Sequence, residues 1–96
     1  MNISEIINQN TNTLVDVREM IEFQSVHPEG AINIPLGTIP NQLDEFRKMS
    51  KPIVVYCASG NRSSQAMNYL KAQGFEEVYN GGGVLQVMGM QQLKTV

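Results

Sequence analysis

The stretch IVVYCASGNRSS, residues 53–64, decides how this chain folds. Its first five residues are apolar without alternation, the pattern of a central parallel strand covered on both faces. Ala58, Ser59, Gly60 and Asn61 follow, all small or tolerant of unusual backbone angles. A helical pattern begins near Arg62, where Ala66, Met67 and Leu70 recur at helical spacing, and Gly74 supplies a C-terminal stop. Strand, tight loop and helix in immediate succession make a βα unit, with the single cysteine, Cys57, at its turning point.

Outward from this unit the same alternation continues. TLVDV (13–17) reads as a buried strand, and REMIEFQSV (18–26) as a short helix with Met20 and Phe23 on one face. HPEGA (27–31) is a turn, AINI (31–34) a second strand stopped by Pro35, and PNQLDEFRKM (40–49) a helix. Pro40 belongs near the first turn of that helix, with Leu43, Phe46 and Met49 facing inward. EEVYN (76–80) is a last short strand, GGG (81–83) a turn, and residues 84–93 a weak helix. ISEIINQN near the N-terminus makes one more short helix, capped by Ser4. The expectation is a single three-layer α/β/α domain over residues 1–96, with four or five short, mainly parallel strands.

Composition narrows the function classes. Ninety-six residues suffice for one core and are too few for two domains. The net charge of −2 is dispersed, and the seven Lys and Arg never cluster as a phosphate-tracking patch, so nucleic-acid binding is not expected. No apolar run approaches the ~20 residues that span a bilayer. MNISEIINQN lacks the basic and apolar regions of a secretory signal. One cysteine and one histidine are too poor a set for structural zinc, and no metal or cofactor is expected. A free thiol suits the reducing cytoplasm.

Cys57 invites a chemical reading. In open parallel sheets, ligands bind beyond the carboxyl ends of the strands. A small-residue loop there can turn its amide hydrogens toward whatever the sulfur carries. The following helix N-terminus adds a positive dipole end, and Arg62 a full charge. All three favour thiolate, the reactive form. The competing reading, a cysteine that merely fills the core, leaves the loop, the glycine and the arginine unexplained. His27, the one histidine, lies in a Pro-Gly turn and reads as a loop residue with a structural hydrogen bond rather than as a general base.

Four ordered segments, LVDVREMIEF, HPEGAINIP, VVYCASGNRS and VYNGGG, together resemble the rhodanese family, specifically its small single-domain members. The resemblance covers nearly the whole chain and implies a central five-stranded parallel sheet and a sulfurtransferase mechanism. Cys57 would take a sulfane sulfur from thiosulfate, a polysulfide or a low-molecular-weight persulfide and hold it as a persulfide. The loop of Ala58, Ser59, Gly60, Asn61, Arg62 and Ser63 would cradle that sulfur, and a thiol or protein cysteine would remove it. Arg62 is the candidate for binding an anionic donor, because guanidinium matches an oxyanion well. Ser59 and Ser63 are candidate hydroxyl donors, Ser63 having a helix cap as its alternative role. Asp16 and Arg18 are expected as a structural ion pair near the site. Two departures stand out. GGGVLQVMGM lacks the tryptophan the family often carries there, a gap methionine can fill, and SVHPEGA lacks the glycine that commonly precedes the histidine.

Three other functions compete. Phosphatases and arsenate reductases with a cysteine–arginine loop place five residues between the two, whereas four separate Cys57 from Arg62. A persulfide carrier or regulatory sulfur-relay module for a partner protein would use the same chemistry and leave no distinct mark. A phosphate-binding loop at GGGVLQ fails, because no Lys-Ser/Thr follows the glycines. Oligomeric state is left open, with a monomer favoured.

Overall fold

The computed structural model describes residues 2–91. Four parallel strands, β1 (Thr13–Asp16), β2 (Ile32–Asn33), β3 (Ile53–Cys57) and β4 (Val78–Gly83), form one sheet in the order β2-β1-β3-β4. Five helices accompany them: α1 (Ile3–Ile7), α2 (Met20–Ser25), α3 (Leu43–Lys48), α4 (Asn61–Ala72) and α5 (Val84–Met90). The five-stranded sheet implied by the resemblance is therefore corrected to four among the described residues, because the chain between the four apolar runs goes into helices and loops.

All five residues of β3 are buried, since the strand pairs on both edges and is covered on both faces. The pleat sends alternate side chains to opposite layers. Ile53, Val55 and Cys57 join Phe46, Ala66 and Leu70 beneath α3 and α4, whereas Val54 and Tyr56 join Ile6, Val84 and Val87 beneath α1 and α5. This is the expected three-layer α/β/α arrangement.

α4, the longest helix, ends as its sequence requires. Gly74 takes φ +98, its N–H bonds the Lys71 carbonyl, and the Phe75 N–H reaches back to Leu70 at 3.1 Å. That is a Schellman ending, which an L side chain at position 74 would strain.

Several local expectations change. Asn2 rather than Ser4 caps α1, its Oδ1 accepting the Glu5 N–H at 2.9 Å. On α2, Met20 is 62 % exposed, while Phe23 is half-buried and stacks on His27. The helix expected over 40–49 divides into a 3-10 helix, Leu36–Asn41, which contains Pro40, and α3, with Phe46 as its buried anchor. The second strand keeps only Ile32–Asn33 in register. The last strand starts at Val78 and runs through the glycines, with Glu76 and Glu77 outside it and a bulge at Gly81, opposite the Val55–Tyr56 step of β3. After the glycines, Val84 and Val87 are buried and Met90 packs against their cluster, while Met88 is exposed. Residues 92–93 of that expected helix lie outside the described residues.

No described helix is long and apolar enough to cross a membrane.

Candidate active site

Cys57 is the last residue of β3 and 1 % exposed. The chain must reverse within Ala58, Ser59 and Gly60 before α4 begins at Asn61. Gly60 makes the reversal possible with φ +102, a conformation costly for any residue with a Cβ. Its N–H then points back and donates to Cys57 Sγ at 3.0 Å, while its carbonyl opens α4 by accepting the Ser64 N–H. Ser63, wholly buried on the first turn of α4, places its hydroxyl 3.4 Å from the same sulfur.

Two opposing effects set the thiol's acidity. Burial pushes it up; the Ser63 hydroxyl and the amides of Ser63, Ser59 and Gly60 pull it down further, to about 7. The loop therefore does what its composition suggested, with the Ser63 hydroxyl the largest single lowering influence and the backbone amides adding to it.

The loop can lie there only because β4 offers bare backbone beneath it. A Cβ on Gly83 would meet the Ala58 carbonyl oxygen at 2.5 Å, whereas one on Gly60 would make only ordinary contact with Gly82 Cα at 3.5 Å. The triple glycine, expected as a simple turn, is thus also the bed of the active-site loop. Gly82 takes φ +89 as the chain leaves the bulge.

Arg62 stands on the first turn of α4, about one-third exposed, with its guanidinium already engaged. Its two terminal nitrogens donate to the two carboxylate oxygens of Glu22 at 2.8 and 3.0 Å, a bidentate fork. Those bonds, together with the Glu19 amide, hold the Glu22 carboxyl down at about 2. Ala58, Ser59 and Asn61 are exposed around the loop.

Asp16 and Arg18 come together at the end of β1 as the expected ion pair, both buried. Arg18 Nη2 donates to Asp16 Oδ2 and to the Val26 carbonyl, each at 2.6 Å. This pair fastens the chain entering and leaving α2, which carries Glu22. His27 is exposed, with Nδ1 2.7 Å from the Phe23 carbonyl oxygen, in keeping with the structural reading. No cluster of His, Cys, Asp and Glu able to hold a metal occurs among the described residues.

Two site residues escaped the sequence reading. Glu22 lies 40 positions from its arginine, and nothing local announces the pairing. Asn80 accepts from Ser63 Oγ at 2.7 Å and from the Gly82 N–H at 2.9 Å, and donates to the Gly60 carbonyl at 3.2 Å. An asparagine at a strand end before three glycines is a backbone-bonding signal that could have marked it.

A family model described as a rhodanese-like domain matches residues 2–85, over all four strands of the sheet and the whole of the Cys57 loop. This chain belongs to the rhodanese family. Among its relatives, a thiosulfate sulfurtransferase of Glaesserella parasuis, GlpE, is 34 % identical over 79 residues, covering 82 % of this chain and 72 % of that protein. A putative sulfur carrier protein of Bacillus subtilis, YrkF, is 37 % identical over 67 residues, covering 70 % of this chain. The rhodanese domain here spans 36 % of YrkF and 60 % of YqhL, another Bacillus subtilis relative. Among solved structures, a rhodanese with anions from E. coli superposes with a TM-score of 0.72 at 33 % identity, covering 78 % of this chain and 89 % of that one.

Proposed function

We propose that this rhodanese is a sulfurtransferase in which Cys57 carries sulfur as a persulfide. The observation that carries the reading is the sulfur's setting: a buried thiol held near pKa 7, facing a loop amide at 3.0 Å at the head of a 12-residue helix. A side chain that only filled the core would need none of this. The relationship to a named thiosulfate sulfurtransferase supports the same conclusion.

In the first half-reaction the Cys57 thiolate attacks the sulfane sulfur of thiosulfate, a polysulfide or a low-molecular-weight persulfide. An S–S bond forms to Cys57 as the donor's own bond to that sulfur breaks, and the donor leaves with the electron pair, as sulfite in the case of thiosulfate. In the second, a thiophile attacks the outer sulfur and Cys57 departs as thiolate. Cyanide would serve in an assay, and a thiol or protein cysteine in the cell. Splitting the transfer this way replaces one difficult step by two easier ones. Charge on the outer sulfur would be met by the amides of residues 58–63 and by the positive end of α4. Arg62 would attract an anionic donor, which must share the guanidinium with Glu22.

Phosphate or arsenate chemistry is disfavoured by the four-residue spacing, and also by the guanidinium's engagement with Glu22 rather than with the loop's interior. A carrier role, accepting sulfur from a partner protein, is the second reading; the relationship to YrkF favours it.

Thiocyanate formation from thiosulfate and cyanide, compared for wild type and Cys57→Ser, tests the proposal, together with mass spectrometry for one added sulfur on Cys57. Equal rates, or no sulfur adduct, would refute it. An adduct that forms without multiple turnovers would identify the carrier.

A further inference from the structure

The hydrogen bonds around Asn80 fix more than the shape of the loop. Its Oδ1 faces the Gly82 N–H, which can only donate, and its Nδ2 faces the Gly60 carbonyl, which can only accept. The amide therefore has one possible orientation, and the atom it presents to Ser63 is the acceptor Oδ1. It follows that Ser63 must be the donor in that 2.7 Å contact.

Ser63 has one hydroxyl hydrogen and two neighbours that want it: Asn80 Oδ1 at 2.7 Å and Cys57 Sγ at 3.4 Å. With Cys57 as the neutral thiol there is no conflict. The S–H can point at Ser63 Oγ, and the hydroxyl at Asn80. With Cys57 as thiolate, the same geometry turns an oxygen lone pair toward an anion. Rotation of the hydroxyl then replaces a repulsion by a charge-assisted hydrogen bond, about twice as strong as a neutral one. Asn80 Oδ1 keeps the Gly82 N–H when it gives up the hydroxyl.

We propose that Asn80 is a positioning residue that holds the Ser63 hydroxyl hydrogen while charge is off Cys57 and releases it to the sulfur when the thiolate forms. No bond to hydrogen breaks; the hydroxyl swings between two acceptors. Asn80 thus opposes ionisation of Cys57 in the resting state, and in the same position pins the loop whose Gly60 amide favours it. The inference rests on the Cys57 thiolate being the reactive group, as in the proposed function.

The charged and ionisable groups around the sulfur are Arg62 on α4 with its partner Glu22 on α2, Asp16 and Arg18 at the end of β1, and Tyr56 on β3. β4 adds only the partly exposed Tyr79, and α5 has no ionisable side chain. Exchanges among Asn, Ser and Ala alter none of them, so a shift in Cys57 ionisation reads hydrogen bonding alone.

The test is the pH dependence of Cys57 alkylation by iodoacetamide, which is unambiguous because the chain has one cysteine. Asn80→Ala should lower the midpoint by about half to one pH unit, the scale of one competing hydrogen bond. Ser63→Ala should raise it, and Asn80→Ala added to Ser63→Ala should then not lower it, because only the pin on the Gly60 carbonyl is left to lose. A raised or unmoved midpoint in Asn80→Ala, or an equal shift with and without Ser63, would overturn the proposal. Should Asn80→Ala not fold, Asn80→Asp keeps both accepting contacts. Its added charge raises the midpoint in any background, and the rise must be larger when Ser63 is present; equal rises would overturn the proposal equally. Alkylation needs no sulfur donor, so its outcome is independent of whether the protein turns over thiosulfate.

Discussion

Replacing Gly83 by alanine tests the dependence of the cysteine's acidity on the bare backbone of β4. Gly83 has φ −92 and ψ 159, which alanine adopts freely, so the substitution acts through its methyl group alone. That methyl would lie 2.5 Å from the Ala58 carbonyl oxygen, and relief to ordinary contact needs about 1 Å of movement. Neither strand can supply it cheaply, because Cys57 and Gly83 are paired in register. The loop must therefore rise, and the Gly60 N–H, now 3.0 Å from the sulfur, goes beyond useful hydrogen-bonding range. A hydrogen bond to a charged group is worth about 1.5–3 kcal/mol, which corresponds to about one to two pH units on the thiol. At pH 7 the thiolate fraction, and with it the alkylation rate, should fall roughly tenfold from a protein whose Cys57 titrates at about 7. Sulfur transfer should fall at least as far, since a displacement of about 1 Å in a reacting group can cost a hundredfold. Overpacking should also cost about 1–3 kcal/mol of stability. Gly81→Ala is the control: its methyl meets Val54 and Val87 side-chain atoms at 3.0 Å, so it should lower stability without moving the titration. A wild-type alkylation midpoint in Gly83→Ala would refute the reasoning.

Wild-type alkylation should rise about tenfold per pH unit below 7 and level off above 8, and a midpoint near 9 would show that the loop amides do not act on the sulfur. Because the folded state releases this proton at lower pH than the unfolded chain, stability relative to Cys57→Ser should increase between about pH 7 and 9 in denaturant titrations, and a decrease would contradict the assigned direction. Glu22→Gln should leave Arg62 freer for an anion and lower the thiosulfate KM by up to about fivefold, the scale of a part-exposed ion pair; an increased KM would mean that Glu22 is needed to aim the guanidinium. Asp16→Ala leaves the Arg18 charge buried without its partner and should cost about 3–5 kcal/mol in urea unfolding; a loss under 1 kcal/mol would show that water compensates the arginine.

Much of the site was legible in the residues. The uniformly apolar IVVYC could only be a strand covered twice, and a cysteine at its carboxyl end, before small residues and a helix, had to stand where parallel sheets bind ligands. The Asp16–Arg18 pair was readable for a similar reason, both residues closing a buried strand. The two-residue β2 and the 3-10 path through Pro40 were not, since pairing partners and packing rather than local propensity set their limits.

The sequence by itself determined the layered α/β architecture, the position of the thiol and the composition of its loop, because these follow from short-range patterns of apolar, small and turn-forming residues. Only the tertiary structure decided what the loop rests on and what its polar groups face. Gly83 beneath Ala58, Glu22 clasping Arg62, and Asn80 joining Ser63 to Gly60 each connect segments at least 17 residues apart. Such contacts arise where strands and helices from separate units converge on one end of the sheet, and no local pattern encodes them.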